Sequence, residues 1–151
     1  MTKTDIARTM IAAWEANDLN KVASLLSDDF VLTGPAPVPL NKEAYLAFQS
    51  VHNVAFPDWK FNVSAWQENG DTVRATIGIT GTQTGVFDVS KLGLPIPPVP
   101  ATGKFTRWPV GEELIFTIKG DKIIAAHATT LPGGGVMGTL ERLGVNVPMG
   151  H

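Results

Sequence analysis

Residues 59–85 read WKFNVSAWQENGDTVRATIGITGTQTG, and this stretch decides the class of fold. Apolar and polar residues alternate over residues 59–65 and again over residues 73–79, as they do in half-buried strands. The segment between them, Asn69-Gly70-Asp71, is a strong signal for a tight hairpin turn. The stretch therefore predicts an antiparallel hairpin, with its second strand running on to Gly85.

The chain after this hairpin repeats the pattern of strand and turn. A proline-rich apolar loop, residues 92–100, leads to a strand that begins near Lys104. A second turn signal, Lys119-Gly120-Asp121-Lys122, precedes a strand over residues 123–131. Residues 136–143 are then typical of a short closing helix.

The chain before the hairpin has helical spacing instead. Ile6, Met10 and Trp14 recur on one helical face, and Thr2 with Asp5 can form a capping box at the start. A second helix and a short strand follow. A third helix has Asn41 as its N-cap and must end before Pro57. Helices that precede a run of antiparallel strands indicate an α+β fold.

Length and composition restrict the function classes. A chain of 151 residues predicts one domain, residues 1–151. A net charge of −2 offers no basic surface, so neither a nucleic acid nor a membrane is expected as a partner. The charged fraction of 17% is low for a soluble domain, which indicates that some apolar surface serves association.

The sequence also predicts a cytoplasmic protein. It has no cysteine, and hence no disulfide or thiolate metal site. The N-terminus lacks the apolar segment of a signal peptide, and no stretch is apolar for the length of a membrane span. The histidines at 52, 127 and 151 lack metal-ligand spacing, so no metal or other cofactor is predicted.

Five short motifs, in this order along the chain, resemble those of the SnoaL-like polyketide cyclases, a family of the nuclear transport factor 2-like superfamily. They are Ala55-Phe56-Pro57-Asp58, Gly81-Thr82-Gln83-Thr84-Gly85, Ala101-Thr102-Gly103-Lys104, Asp121-Lys122-Ile123 and Arg142-Leu143-Gly144. The resemblance implies a cone-shaped fold, in which N-terminal helices pack on a strongly curved antiparallel sheet and enclose an apolar pocket. It also implies a homodimer formed through the sheet.

The family resemblance implies a reaction as well. Its cyclases close a ring by an aldol step without a cofactor, using a carboxylate near the end of the last strand. The family pattern there is a Trp followed four residues later by an Asp. Counted from the turn at residues 121–123, His127 takes the Trp place and Leu131 the Asp place. Leucine cannot move a proton, so the resemblance leaves open whether this chain is an enzyme.

Two side chains are the predicted catalytic residues. On a regular strand His127 shares a face with Ile123, Thr129 and Leu131, from which it would act as a general base in the pocket. The alternative is a structural histidine bonded to a threonine on the neighbouring strand. Gln83 stands where the family motif has His, and its amide would hold a ligand oxygen. Its alternative role is a hydrogen bond to the adjacent strand.

Most of the remaining candidates would line a pocket and take no part in a reaction. The predicted ligand-binding residues, which core packing would equally explain, are Trp14, Phe30, Tyr45, Phe48, Phe56, Trp59, Trp108, Thr129 and Leu131. Asp58 is a carboxylate candidate or an ordinary turn residue. Glu112 and Glu113 are expected in solvent, and the apolar loop 92–100 is expected to cover the pocket mouth or a second subunit.

Three functions follow from these expectations. The first is binding of an apolar, carbonyl-bearing, polyketide-like small molecule, with cyclase, isomerase or dehydratase chemistry run by His127 and Gln83. The second is binding of a lipophilic ligand without catalysis, which the leucine at 131 favours. The third is a structural domain that dimerises through its sheet.

Overall fold

The computed structural model describes residues 1–145, which fold into helices and strands whose order confirms the α+β prediction. In chain order the elements are α1 (Lys3–Glu15), α2 (Leu19–Leu25), β1 (Leu26–Thr33), β2 (Leu40–Asn41), α3 (Lys42–Ala55), β3 (Ala65–Asn69), β4 (Thr72–Ile77), β5 (Thr80–Thr82), a 3-10 helix (Val89–Leu92), β6 (Phe105–Arg107), β7 (Glu112–Lys119), β8 (Lys122–Thr129) and α4 (Gly135–Arg142). None of the helices in this part of the chain is long and apolar enough to cross a membrane.

Six strands form one sheet in the order β2-β1-β8-β7-β4-β3, and β5 pairs with β6 separately. The pairings are antiparallel except that of β1 with β8, which is parallel. The sequence predicted only antiparallel neighbours, because β1 and β8 are separated in the chain by α3 and by strands β2 to β7, and local turn signals do not report such a distant pairing. Helices α1 and α3 cover one face of this sheet, called the inner face below.

Local signals set the ends of the helices as predicted. The Thr2 hydroxyl accepts the Asp5 N–H at 3.0 Å, and the Asp5 carboxylate accepts the Thr2 N–H at 3.0 Å, which completes the capping box of α1. The Asn41 side chain accepts the Ala44 N–H at 2.8 Å and starts α3. These caps satisfy N–H groups that lack intrahelical partners.

The strand predicted to begin at Trp59 is wrong in its first half. Asn62 has a φ of 50°, which is left-handed and interrupts an extended chain, so β3 begins only at Ala65. The alternation nevertheless predicted the burial of Trp59 and Phe61 correctly, but not that of Ala65, which is exposed. Similarly, the second strand of the hairpin stops at Ile77 and resumes as β5.

A one-residue bulge in β8 changes which side chains reach the inner face. Ile118 pairs with Ile123, but Thr117 pairs with Ala125, so Ile124 is an extra residue in the ladder. Ile123 is therefore buried on the inner face, whereas Ala126 takes the next inner position. Every later odd-numbered residue of β8 faces the outside of the sheet.

Candidate functional site

A pocket lies between the inner face of the sheet and helices α1, α3 and α4. Its cavity volume is about 80 Å³, and its lining is almost entirely apolar. The bulge places Ala126, Ala128 and Thr130 in this lining, and none of the three ionises near neutral pH. Small side chains on β8 leave the room that bulky ones would fill.

Seven aromatic rings of Phe, Tyr and Trp, defined here as the aromatic wall, form much of the lining. They are Trp14, Tyr45, Phe48, Trp59, Phe61, Trp108 and Phe116. The ring centroids of Trp14 and Trp59 are 5.6 Å apart, and those of Trp59 and Trp108 are 4.8 Å apart, both in tilted arrangements. Five of the predicted ligand-binding residues thus line the pocket, and Phe61 and Phe116 are additions.

The other four predicted ligand-binding residues lie elsewhere. Phe30 and Phe56 are fully buried behind the aromatic wall, where they contact Tyr45 and Trp108 with centroids 5.2 Å apart in each case. The odd-numbered Thr129 and Leu131 face away from the pocket because of the bulge, and Leu131 is 40% exposed.

His127 lies outside the pocket. It is exposed on the outer face of the sheet, and its Nδ1 is 2.7 Å from the Thr33 hydroxyl on β1. This is the alternative interpretation, a histidine bonded to a threonine on the neighbouring strand. The face predicted from regular alternation was wrong because the alternation changes phase at Ile124.

Gln83 is also placed away from the pocket lining. It is fully buried, and its Nε2 donates to the backbone carbonyls of Gly85, Val99 and Pro100 at 3.1 to 3.2 Å. Its Oε1 accepts the N–H and the hydroxyl of Thr102 at 3.1 and 2.7 Å. The amide is thereby occupied in tying down the loop that precedes β6, and the structure does not bring it near His127.

A histidine that the sequence analysis did not select lines the pocket. His52 is buried, and its Nδ1 is 2.8 Å from the Phe48 carbonyl, which can only accept, so Nδ1 carries the proton. Burial lowers the pKa of His52 to about 4. The ring is therefore neutral at pH 7, with the lone pair on Nε2. Its position on the same face of α3 as Tyr45 and Phe48 was visible in the helical spacing.

A carboxyl group shares this lining. Glu112 is 6% exposed, and its Oε2 accepts the Leu131 N–H at 2.9 Å. Burial raises the pKa of Glu112, although this hydrogen bond and the charge of Arg142 oppose the effect. The expectation of solvent for Glu112 was wrong, whereas Glu113 faces outward and binds Arg74 at 3.1 Å. Alternation along β7 with Phe116 was the signal that could have found Glu112.

Helix α4 holds one end of the aromatic wall in place. The Trp108 Nε1–H donates to the Thr139 hydroxyl at 2.8 Å. The Arg142 guanidinium lies 4.9 Å from the Trp108 ring centroid, and its Nε donates to the Thr106 hydroxyl at 2.6 Å. Arg142 also donates to the Gly133 carbonyl, and Glu112 accepts the Leu131 N–H two residues before it, so Trp108 and Glu112 lie beside the same turn at one end of the cavity.

The lining residues that are not fully buried are Pro35, Leu114, Ala128, Thr130 and Gly135, and the mouth of the pocket lies on this side. The apolar loop 92–100 does not cover this mouth, because it contributes nothing to the lining and instead buries Ile96 and Val99 in the core. That part of the prediction is wrong.

Two further residues considered in the sequence analysis, Asp58 and His151, add nothing to the pocket. Asp58 accepts the Thr82 N–H at 2.7 Å in a turn, in agreement with its turn interpretation. His151 lies outside the described residues. Within residues 1–145, no three His, Cys, Asp or Glu side chains form a group that could hold a metal ion.

The fold and the pocket place the protein in the nuclear transport factor 2-like class, in which helices and a largely antiparallel sheet surround a cavity. The SnoaL-like domain family matches residues 7–126, and the chain belongs to that family. The resemblance drawn from the five sequence motifs is thereby confirmed. No curated protein matches the sequence.

Solved structures share the fold over nearly the whole chain. AclR of Streptomyces galilaeus, a candidate hydroxylase, is similar with a TM-score of 0.73 and 21% identity, over 94% of this chain and 95% of that one. IdmH of Streptomyces antibioticus, a candidate polyketide cyclase, has a TM-score of 0.69 and 20% identity, over 96% and 100%. A candidate SnoaL-like polyketide cyclase of Jannaschia sp. CCS1 has a TM-score of 0.68 and 21% identity, over 83% of each chain.

The buried His52 predicts a dependence of stability on pH. Its pKa is lower in the folded protein than in the unfolded chain, so its contribution to stability is full above pH 6.5 and is lost as the pH falls toward 4. This difference between the folded and unfolded pKa of His52 corresponds to about 3 kcal/mol of unfolding free energy. We expect His52→Asn, whose amide can still donate to the Phe48 carbonyl, to remove this loss between pH 7 and 4. Urea unfolding at several pH values measures it.

The matched control is His127→Asn, since His127 is exposed. That variant is expected to lose stability on acidification as the wild type does. An identical pH slope for the wild type and His52→Asn would contradict the assignment of a neutral, buried imidazole.

Proposed function

We propose that the protein binds an apolar small molecule bearing a carbonyl group in the pocket between the sheet and its helices. The observation that carries this proposal is an open-mouthed cavity lined by the seven rings of the aromatic wall and very few polar groups. Family membership supports it, as do the similar folds of two candidate polyketide cyclases. A polyketide-like ring system suits flat aromatic walls.

The Tyr45 hydroxyl is the proposed donor to the carbonyl oxygen. It lines the pocket, and its partner within the described residues is the Met10 sulfur at a distance of 4.0 Å, a weak acceptor. Burial raises the pKa of Tyr45 above its ordinary value, so the hydroxyl keeps its proton. A ligand oxygen would be a stronger acceptor than the thioether it replaces.

Acid and base roles fall to Glu112, with His52 as an acceptor. Burial raises the pKa of Glu112 above its ordinary value, which makes its carboxylate a stronger base. Proton removal beside the ligand carbonyl, with Tyr45 stabilising the enolate oxygen, would support cyclisation, isomerisation or dehydration without a cofactor. His52, with a pKa of about 4, is a weak base and would orient a ligand hydroxyl through Nε2.

A binding protein without catalysis is the alternative. The pocket-facing side chains of β8, which are Ala126, Ala128 and Thr130, carry no acid or base. The family carboxylate at the end of the last strand therefore has no counterpart there, and Glu112 on β7 would have to replace it.

Ligand binding can be tested by thermal shift with phenols, steroids, fatty acids and terpenoids. A ligand at 100 times its dissociation constant adds about 2.7 kcal/mol to the folded state, which raises the melting temperature by several degrees. Ala128→Leu should remove this shift, because it fills the cavity. Ala12→Leu, on the solvent side of α1, should keep it. A ligand that stabilises both variants equally binds elsewhere and would contradict the proposal.

Proton transfer can be tested with a ketone found by that screen. Glu112→Gln retains an acceptor for the Leu131 N–H but cannot exchange a proton. We expect it to slow deuterium exchange at the carbon beside the ketone by about 100-fold or more, as measured by NMR. Glu113→Gln, on the opposite face of β7, is the control. Equal rates for both variants would leave the binding function without catalysis.

We further propose a homodimer formed through the outer face of the sheet. Val31 on β1 is 37% exposed there, and Ile115 is only half-buried on the outer surface of β7, with β8 between the two strands. Light scattering at micromolar concentration should give twice the chain mass of 16.1 kDa. Ile115→Lys should halve the mass, and Val110→Lys in a loop should not. A monomeric wild type would refute the dimer.

A further inference from the structure

The charges on the pocket lining are of one sign. Glu112 supplies a carboxyl, His52 is neutral at pH 7, and no lysine or arginine of residues 1–145 belongs to the lining. A ligand with a carboxylate or phosphate would therefore find no counter-ion and would face a carboxyl group. The pocket discriminates against anions.

The positive charge beside Trp108, that of Arg142, is engaged through Nε and Nη1, whereas its buried Nη2 has no hydrogen-bond partner within residues 1–145. The Arg142 guanidinium packs against Trp108 at 4.9 Å from the ring centroid and donates to Thr106 and to the carbonyl of Gly133. It lies more than 4.0 Å from Glu112, since the two form no ion pair within the described residues. It lowers the cost of charge at Glu112 without occupying the pocket.

The second oxygen of Glu112 is available to a ligand. Oε2 accepts the Leu131 N–H at 2.9 Å, and no hydrogen bond within residues 1–145 involves Oε1. Because Trp108 lies at the same end of the pocket, a group placed there meets both an indole ring and a carboxylate oxygen. An ammonium group benefits from both, through the negative ring face and through the opposite charge.

We propose that the ligand of this pocket carries a protonated or quaternary amine beside its apolar body, with Glu112 as counter-ion and the aromatic wall around the cationic end. This inference rests on the proposed small-molecule function and adds the ligand's charge to it. An aromatic enclosure with one acidic side chain is the arrangement that recognises ammonium groups. The cation stabilises the charged form of Glu112, which burial away from water destabilises.

The test compares two probes of equal shape. Choline carries a quaternary nitrogen, and 3,3-dimethyl-1-butanol has a neutral carbon in its place. Calorimetry on the full chain at pH 7.5 should give choline an affinity at least about tenfold higher. Glu112→Gln should remove that difference, because it replaces the charged oxygen by a neutral amide of similar shape. Glu113→Gln, outside the pocket, should behave as the wild type.

The outcomes separate the two proposals. Equal or tighter binding of the neutral probe overturns the amine and leaves the apolar pocket function standing. A preference for choline that persists in Glu112→Gln also overturns it, because the charge then lies elsewhere. Binding of a neutral ketone with no binding of choline likewise overturns the amine and leaves the apolar pocket function standing. If no probe of either kind binds, both proposals fail.

Discussion

The β7–β8 ladder, with its single extra residue at Ile124, is the constraint on which the pocket depends. A bulge shifts the phase of alternation, so the residues of β8 after it exchange faces relative to the residue before it. Small side chains, Ala126 and Ala128, then face the helices, and the larger polar His127 faces out. Had the ladder been regular, the imidazole would have filled the space that is now a cavity.

Burial shifts the pKa values of His52 and Glu112 in opposite directions, with one physical cause. It lowers the pKa of His52 and raises that of Glu112, because a low-dielectric surrounding disfavours the charged form of each. The pocket thus favours neutral groups, which suits an apolar ligand. A cationic ligand group would reverse this for Glu112 alone, since opposite charges in such surroundings attract strongly.

Several polar side chains that look functional in the sequence are supports in the structure. Gln83 spends all its hydrogen-bonding capacity on the loop before β6, and Asp58 completes a turn. Arg142 and Thr139 of α4 position Trp108 from behind. Buried polar groups are generally hydrogen-bonded, so in a fold with long loops many polar side chains form hydrogen bonds that hold these loops. The residue type alone does not show whether a polar side chain makes such a structural hydrogen bond or contacts a ligand.

The sequence by itself determined the helices, the hairpin turns, the α+β class, the family and most of the aromatic wall. These depend on caps, turns and periodicities that act over a few residues, such as Thr2 with Asp5. Only the tertiary structure decided that His52 and Glu112, and not His127 and Gln83, border the cavity. For His127 the outcome depends on one bulge and on the pairing of β8 with its neighbours, which result from contacts between segments far apart in the chain. For Gln83 it depends on the long-range hydrogen bonds that the side chain makes to the loop before β6.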